Sequence, residues 1–370
     1  MMTRPTPALM LPLSLLLLLG SCAHPMAPAG QRLVPQGRIT DGGAATQQDG
    51  CVALIWTAAS LEAQFEGTSV AIDVGCEPGW AENGPCPVSL AATVDGVRRP
   101  DIAQLPGAPE RRLVASGLPP GRHRLTLARR SEAQLGGARV CAVTAPGGRM
   151  LPPPPPRPRQ LLILGDSISA GYGNLCQGPK DGEPLLRADG TLTYGALAAQ
   201  SLGADVRIMA WSGLGLWRNG DGTFEHTLPK RWAQVAQPGR LDAAVVNLGT
   251  NDFRQGPVDD GAFVDTYVRF VTQLLGTYPG SHVFLAVGPM LSDDTPKGAG
   301  QLSHALRLVQ QTQGRMAALG HGERVHLLRF ATQDGRLGLG CDYHPNLATH
   351  RQMAQTLTSA LQRTLGWSRF

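Results

Sequence analysis

The fold of the second half of the chain is decided by one stretch, Leu161-Leu-Ile-Leu-Gly-Asp-Ser-Ile-Ser-Ala-Gly-Tyr-Gly173. Its four apolar residues predict a short buried strand, which Gly165 and Asp166 end directly before Ser167. A serine at a strand-to-helix turn presents its hydroxyl at the carboxyl edge of a parallel sheet, where open α/β folds bind ligands. The N-terminus of the following helix offers unpaired N–H groups to a developing anion. Alternatively, Asp166 and Ser167 only cap a helix, so the rest of the chain must decide.

Strands and helices alternate from residue 160 to residue 370. The strand candidates are residues 161–164, 206–210, 243–248, 283–287 and 325–330. Helical stretches lie at about 193–202, 229–236, 259–277, 301–319 and 346–365. In one of them an apolar face repeats every three or four residues, at Phe263, Tyr267, Phe270, Val271, Leu274 and Leu275. This alternation predicts a parallel sheet with helices on both faces.

Polar residues follow these strands at the points where they end. Ser167 follows the first strand, Trp211-Ser-Gly213 the second and Gly249-Thr-Asn251-Asp252 the third, and Asp342-Tyr-His344-Pro345 comes after the fifth. Loops after parallel strands converge on one edge of the sheet, so we expect these four segments to meet. Each segment alone could be a turn or a cap. Together, at four strand ends, they favour a serine hydrolase.

The chemistry of an acyl transfer gives each of these residues a role. Ser167 is a weak nucleophile unless a base activates it, and the imidazole of His344 can take its proton and return it to the leaving group. The backbone N–H groups of Ser167 and Gly213 and the side-chain amide of Asn251 can form an oxyanion hole. We expect Asp166 and Asp252 to hold their loops rather than to take part in catalysis.

The first half of the chain differs in pattern, and residues 37–149 predict a small all-β, jelly-roll-like sandwich without a long helix. Several runs alternate apolar and polar residues between turns rich in Gly, Pro, Asp and Asn. The strand candidates are residues 52–56, 61–65, 69–74, 88–94, 112–115 and 123–127. Trp56 and Trp80 could stack on sugar rings, although packing in the core is the more common role of a tryptophan in a sandwich.

Proline-rich segments flank this predicted domain. Residues 150–159 contain five consecutive prolines, which favour extended polyproline II and predict a semi-rigid linker outside both cores. Residues 22–36 are rich in Pro, Ala and Gly and predict a tether. The hydrolase domain would then occupy residues 160–370.

The N-terminus is typical of an export signal. Arg4 precedes an apolar run at residues 8–19 that is short for a membrane span and ends in Leu19-Gly-Ser-Cys22. This ending resembles the lipobox of bacterial lipoproteins, which implies that residues 1–21 are a signal peptide and that Cys22 is lipidated. An ordinary secretory signal cleaved nearby is the alternative. The residue after the cysteine is Ala23 rather than Asp, and in the lipoprotein pattern this implies sorting to the outer membrane. The protein would then lie on the periplasmic face of that membrane or at the cell surface.

Six cysteines remain when Cys22 is set aside for lipidation. In an exported protein they would lie in an oxidising compartment, where an even number of cysteines predicts disulfides. Cys76 and Cys86 bracket a loop, and Cys51 and Cys141 lie near the first and last strands of the predicted sandwich. These two pairs are one of three possible pairings among the four.

Composition excludes several other functions. The net charge of +5 is spread along the chain without a Lys/Arg run or a repeated aromatic–basic pattern, so nucleic-acid binding is not supported. No cysteine spacing resembles a zinc site, and Gly213-Leu-Gly215 lacks the third glycine of a dinucleotide fingerprint. We therefore expect neither a metal nor a cofactor, and we expect a monomer.

The blocks Gly165-Asp-Ser167, Gly213, Gly249-Thr-Asn251-Asp252 and Asp342-Tyr-His344-Pro345 resemble those of the GDSL/SGNH hydrolase superfamily. The resemblance covers the second half and implies a three-layer, flavodoxin-like α/β domain with a five-stranded parallel sheet. In the first half, Phe65-Glu-Gly-Thr-Ser-Val and Arg129-Arg-Ser-Glu132 are among the motifs that resemble the N-terminal β-sandwich of carbohydrate esterase family 2. That family implies removal of acetyl groups from plant cell-wall sugars such as xylan or glucomannan, without a metal.

One position departs from the superfamily. Many members carry an orienting Asp three residues before the histidine, where this chain has Cys341, and Asp342 comes one residue late. Either Asp342 still reaches Nδ1 of His344, or a backbone carbonyl orients the ring and the site works as a Ser–His dyad, which the resemblance to esterase family 2 permits. We favour a site that depends weakly or not at all on Asp342.

If Ser167 and His344 are in contact, their loops also bring two cysteines close together. Cys176 lies nine residues after the serine and Cys341 three before the histidine, so a disulfide between them would join the two loops. Two buried thiols are the alternative. Trp211, Trp217 and Tyr343 are candidates for the acyl or sugar pocket, although the tryptophans fit the core equally well.

The sequence thus predicts an exported, lipid-anchored O-acetyl esterase that acts on acetylated carbohydrate through an acyl-enzyme. The nearest alternative is another esterase on the same scaffold, such as a lysophospholipase, a thioesterase or a peptidoglycan O-acetyl esterase. The alternative from another class is a non-catalytic, carbohydrate-binding envelope lipoprotein.

Overall fold

The structure is a computed structural model that describes residues 38–40, 47–48, 50–77, 86–236, 239–294 and 298–369. The predicted signal peptide with Cys22, the predicted tether and Trp80 lie outside these residues. Within these ranges, no helix has both the length and the apolar character that crossing a bilayer requires.

Two antiparallel sheets build the first half. One sheet has the order β1-β4-β10-β6-β7, with β12 on β4 and β8 on β6, and the other has the order β2-β3-β11-β5-β9. The strands are β1 Arg38–Thr40, β2 Gln47–Gln48, β3 Cys51–Leu54, β4 Ser60–Gly67, β5 Val70–Cys76, β6 Cys86–Val94, β7 Val97–Arg98, β8 Ile102–Leu105, β9 Glu110–Ala115, β10 Gly121–Arg129, β11 Ala138–Thr144 and β12 Arg149–Leu151. Apolar side chains from both sheets, among them Ile72, Leu90 and Leu125, form one core.

The six strands predicted for this half are present, and the structure adds others. The sequence does not predict β11, which lies between β3 and β5, because its register with β5 shifts between Val140 and Ala142 and interrupts the period-two pattern. Residues 150 and 151, which the sequence assigns to the linker, belong to β12, and Leu151 is buried.

The second half contains the predicted parallel sheet, with the order β14-β13-β15-β16-β17. Its strands are β13 Arg159–Gly165, β14 Ala204–Ala210, β15 Ala243–Asn247, β16 His282–Val287 and β17 Val325–Arg329. The helices are α1 Ser167–Ala170, α2 Tyr194–Ser201, α3 Leu228–Val235, α4 Asp260–Thr277, α5 Gln301–Met316 and α6 Leu347–Leu365. All five predicted strands and five predicted helices are present, with ends that move by a few residues. This strand order is flavodoxin-like, with its topological switch point between β13 and β15.

Helices cover both faces of this sheet and give three layers. α3, α4 and α5 pack on one face through residues such as Trp232, Phe263 and Leu308. α2 and α6 pack on the other face, where Tyr194 and Leu357 are fully buried. Both faces are therefore apolar, as the continuous hydrophobic strands require.

The sandwich packs against the α/β half, and its side chains enter the second core. Trp56 and Ala133 are buried within the cluster formed by the α3–α5 face of the parallel sheet. Arg157 binds Glu62 of the sandwich and Asp205 of the α/β half, at 2.8 and 2.9 Å. Trp56 is thus a core residue and lies away from solvent.

Candidate active site

Ser167 lies at the carboxyl end of β13 and begins α1. The side chain of Asp166 accepts a hydrogen bond from the N–H of Ile168 at 3.0 Å, so it caps this short helix. Gly165 is required by close packing, since a Cβ there would lie 2.0 Å from Oγ of Ser169. Ser167 is buried, with 7% of its surface exposed. Local packing therefore fixes the serine at the switch point of the sheet.

His344 meets this serine from the loop that precedes α6. Its Nε2 lies 2.9 Å from Oγ of Ser167. Its Nδ1 lies 3.2 Å from the carbonyl oxygen of Cys341 and 3.1 Å from that of Asp342. Carbonyls only accept hydrogen bonds, so they place the proton of the neutral ring on Nδ1 and leave the Nε2 lone pair facing the serine hydroxyl.

In the described part of the chain, the carboxylate of Asp342 makes no hydrogen bond to this Nδ1. Asp342 has a left-handed backbone with φ of 48°, and its Oδ2 accepts a hydrogen bond from the hydroxyl of Tyr172 at 2.8 Å. The Tyr172 ring also packs against the His344 ring, with centroids 4.6 Å apart. The one-residue offset from the superfamily pattern thus turns this side chain to a tyrosine, and backbone carbonyls contact the histidine instead.

The surroundings of His344 favour its neutral form. Burial lowers its pKa, and the positive charge of Arg254 lowers it further. Two kinds of interaction oppose this shift: the hydrogen bonds from the ring to the carbonyls of Cys341 and Asp342, and the negative charge of Asp342. The net direction is downward, so the ring holds no second proton at neutral pH and can act as a base.

The loop after β14 brings Gly213 to the same edge of the sheet. Gly213 has φ of 85°, a conformation that suits glycine, and a Cβ there would point into open space. Asn251, which follows β15, is buried, and its Nδ2 donates to the carbonyl of Leu214 at 2.9 Å. This bond uses one of the two amide hydrogens and ties the side chain to the loop that carries Gly213.

Asp252 holds the same loop more firmly. Its carboxylate accepts hydrogen bonds from the backbone N–H groups of Leu216, Trp217 and Arg218, at 3.0, 2.8 and 2.8 Å. Burial raises its pKa, and these three donors oppose the rise. Burial likewise raises the pKa of Asp166 to about 7. Both carboxylates therefore have loop-holding contacts of the kind that the sequence suggests.

Disulfides join the predicted cysteine pairs. Cys176 is bonded to Cys341, Cys51 to Cys141, and Cys76 to Cys86. The first of these bonds links the loop after Ser167 to the turn before His344. In that turn the N–H of Cys341 also donates to the carbonyl of Gly173 at 3.2 Å, so the two loops are connected at two points.

The three aromatic candidates for the pocket lie in different places. Trp211 lines a cavity of about 680 Å³ together with Gly213, and the guanidinium of Arg231 lies 4.3 Å from the centre of its ring. Tyr343 is 61% exposed beside His344. Trp217 lines another cavity, of about 560 Å³ against α3 and α4, whose lining includes neither Gly213 nor Trp211. Trp217 therefore does not share the cavity that Trp211 and Gly213 line.

Three residues near the site were not assigned a role from the sequence. Tyr172 and Arg254 both act on the histidine, one by ring contact and one by charge. Glu132 reaches Ser212 from the sandwich. Tyr172 lies between Gly171 and Gly173 at the end of the stretch that carries Ser167, and this nearness in sequence is what could have pointed to it. Glu132 lies in the Arg129–Glu132 motif, but the sequence around it does not indicate that it contacts Ser212, which is 80 residues away.

Comparisons with known proteins agree with this arrangement. The GDSL-like Lipase/Acylhydrolase family profile matches residues 163–352, and the Carbohydrate esterase 2 N-terminal profile matches residues 40–155. The solved structure of a family two carbohydrate esterase from Clostridium thermocellum, in complex with cellohexaose, is similar with a TM-score of 0.80 and 27% identity. That likeness covers 90% of this chain and 100% of the other.

Two curated relatives have similar sequences. Cellulase/esterase CelE of Acetivibrio thermocellus is 32% identical over 84% of this chain, and the match spans only 38% of that protein. An acetylxylan esterase / glucomannan deacetylase of Cellvibrio japonicus is 29% identical over 67% of this chain and 68% of its own length. From the profile matches, this chain belongs to the GDSL-like lipase/acylhydrolase family and carries the N-terminal domain of carbohydrate esterase family 2 before its hydrolase domain.

Proposed function

We propose that this protein is a serine esterase that removes O-acetyl groups from polysaccharide, with Ser167 as nucleophile and His344 as base. The 2.9 Å contact between Nε2 and Oγ, with Nδ1 turned to two backbone carbonyls, is the observation that carries the proposal. It presents a basic nitrogen to the hydroxyl that must lose its proton.

Acylation follows from this contact. Oγ of Ser167 attacks the acetyl carbonyl while Nε2 of His344 takes the hydroxyl proton. The oxygen of the tetrahedral intermediate becomes an anion, and the N–H groups of Ser167 and Gly213 and the amide of Asn251 are its proposed donors. The intermediate collapses when its bond to the sugar oxygen breaks, and His344 returns the proton to that oxygen. The sugar hydroxyl leaves, and an acetyl ester remains on Ser167.

Deacylation repeats these steps with water. His344 takes a proton from the water as its oxygen attacks the acetyl carbonyl, and the same donors stabilise the second anion. The intermediate then breaks the bond to Oγ, which takes the proton back from the histidine. Acetate is released, and the site regains its starting protonation without a metal.

The proposed substrate is acetylated cell-wall polysaccharide of the xylan or glucomannan type. The name of the Cellvibrio japonicus relative supports the xylan or glucomannan type, and the match of this chain to the Carbohydrate esterase 2 N-terminal profile supports a carbohydrate substrate. Tyr343 adds a physical argument, because an aromatic ring held exposed beside the histidine offers an apolar face on which a sugar ring could stack. We propose Tyr343 as the sugar platform and the cavity beside Trp211 as room for neighbouring sugar units.

Acetate release from acetylated xylan, acetylated glucomannan and O-acetylated peptidoglycan tests the proposal. We expect release from xylan or glucomannan by the wild type and none above background by Ser167→Ala. A parallel set of long-chain esters tests the acyl group, and faster hydrolysis of those esters would favour a lysophospholipase or a thioesterase. Undiminished release by Ser167→Ala would refute the assigned nucleophile.

We also propose that the protein is exported and anchored in the outer membrane through lipid on Cys22, and that it is monomeric. The apolar run and the Leu19-Gly-Ser-Cys22 ending support the anchor. Cys22→Ala should move the protein from the membrane fraction to the soluble fraction and abolish incorporation of labelled palmitate. An unchanged membrane fraction would refute the anchor, and light scattering of the detergent-solubilised chain would test the monomer.

A further inference from the structure

A buried carboxylate of the sandwich contacts the loop that carries Gly213. Glu132 follows β10 and is fully buried. Its Oε1 accepts a hydrogen bond from the hydroxyl of Ser212 at 2.7 Å, and its Oε2 accepts one from the N–H of Ser212 at 3.1 Å. Both oxygens therefore bind one residue, which directly precedes Gly213.

This carboxylate lies beside a buried guanidinium. Arg129 is fully buried, and its Nε donates to the carbonyl of Ser131 at 2.9 Å while a terminal nitrogen donates to that of Leu54 at 3.1 Å. It also donates to the carbonyl of Glu132 itself. Burial raises the pKa of Glu132 to about 7, and the bonds from Ser212 and the charge of Arg129 oppose the rise.

A buried carboxylate contributes little net stability compared with an apolar side chain, because the cost of its desolvation offsets its attraction to the nearby positive charge of Arg129. An apolar side chain would fill the same space between the two halves. Unlike an apolar side chain, a carboxylate fixes the orientation of the residue that it binds, because its two oxygens accept hydrogen bonds from a hydroxyl and an N–H of that residue. The contact therefore fits a role in positioning better than a role in stability.

The contact acts on the peptide that carries the Gly213 N–H. That peptide joins the carbonyl carbon of Ser212 to the nitrogen of Gly213, so fixing Ser212 at two atoms restricts its orientation. On the other side, the carbonyl of Gly213 accepts from the N–H of Gly220 at 2.8 Å. The loop is thus held before and after the N–H that faces the reacting group in the proposed mechanism.

We propose that Glu132 is a positioning residue of the esterase, which aims the Gly213 N–H at the oxyanion by holding Ser212 from the sandwich domain. This inference rests on the proposed function. It gives the sandwich a part in catalysis that does not depend on binding of polymer.

Glu132→Gln tests the inference in the full chain. The amide keeps the shape but offers only one acceptor, so one of the two Ser212 donors faces an NH₂ group instead. We expect kcat for an acetyl ester to fall about 10-fold or more, short of the ~10²–10³-fold cost of removing an oxyanion donor. KM should stay unchanged, because the Gly213 N–H that Glu132 positions stabilises the oxyanion, which forms only in the transition state.

Arg130→Gln is the matched control. Arg130 is partly buried two residues away, and its Nε pairs with Asp189 of the α/β half at 3.0 Å, so it joins the same two halves without contacting Ser212. We expect Arg130→Gln to lower the melting temperature and leave kcat unchanged. An equal fall in kcat for both variants would mean that Glu132 matters only for domain packing, and would overturn the proposal.

Ser212→Ala gives a second test that leaves the sandwich untouched. It removes one of the two bonds, so kcat should fall with KM unchanged, and the loss should not add to that of Glu132→Gln because both act through one contact. Wild-type kcat in Ser212→Ala, or fully additive losses, would overturn the inference. Activity in Ser167→Ala would instead refute the proposed function, so the two failures are distinguishable.

Discussion

Replacement of Asp342 by Asn separates a Ser–His dyad from a Ser–His–Asp triad. Asp342 has φ of 48°, a region that Asn tolerates and that strains Ala, so Asn removes the charge with little effect on the backbone. The Asn carbonyl can still accept the hydrogen bond that Tyr172 donates to the carboxylate at 2.8 Å. The substitution therefore tests the charge and not the loop.

The two arrangements differ by orders of magnitude in the expected loss. In a triad, the same Asp-to-Asn change lowers kcat by about 10⁴-fold, because the ring takes the wrong tautomer. Here the carbonyls of Cys341 and Asp342 contact Nδ1 and persist in the variant. What is lost is the interaction of an exposed carboxylate with the histidine, which solvent and salt screen, so it is worth about 1 kcal/mol at most. We therefore expect less than about a 10-fold loss at neutral pH.

The pH profile gives the sign of the remaining effect. The charge of Asp342 raises the pKa of His344, so its removal lowers that pKa. Because only the neutral ring is a base, activity falls as pH falls through this pKa, and the acid limb of kcat/KM should move to lower pH in Asp342→Asn. Hydrolysis of 4-nitrophenyl acetate across the acidic range measures it. A loss of about 10³-fold or more, towards that of a triad, would refute the dyad.

Three other changes have distinct expected outcomes. Arg254→Gln removes a charge that lowers the pKa of His344, so the acid limb of kcat/KM should move to higher pH, opposite to Asp342→Asn; an unmoved limb would contradict this. Gly213→Ala places a side chain at φ of 85° and should lower kcat about 10²-fold with little change in KM, and an equal rise in KM would point to lost substrate binding. The double variant Cys176→Ser/Cys341→Ser should lower kcat and the melting temperature, because the two loops lose their covalent link. Steady-state kinetics and calorimetry measure these two quantities, and unchanged values would show that the disulfide is dispensable.

Most of the α/β half was predictable because its signals are local. Strands such as residues 161–164 are continuous apolar runs, and the predicted strands alternate with helices that have an apolar face. The contact between Ser167 and His344, and the bond that ties Asn251 to the loop of Gly213, then follow from one rule, that loops after parallel strands meet at one edge. The disulfide between Cys176 and Cys341 is predicted from the contact between Ser167 and His344, and it is present.

What the sequence left open depends on contacts between distant segments. The Asp342 carboxylate could be placed only when its bond to Tyr172 was seen, and that partner lies 170 residues away. The contact between Glu132 and Ser212 spans 80 residues and depends on how the sandwich packs against the α/β half. Trp217 and Trp211 are equivalent candidates in the sequence, but their rings line different cavities, and the N–H of Trp217 donates to Asp252.

The central claim is that Ser167 and His344 act as one unit in ester hydrolysis. The most direct test is a double-mutant cycle of kcat for an acetyl ester, with Ser167→Ala, His344→Ala and the combined variant. Residues that act together are not additive, so we predict that each single variant loses about as much activity as the double variant. Near wild-type activity in Ser167→Ala, or a double variant whose loss is the product of the two single losses, would contradict the account.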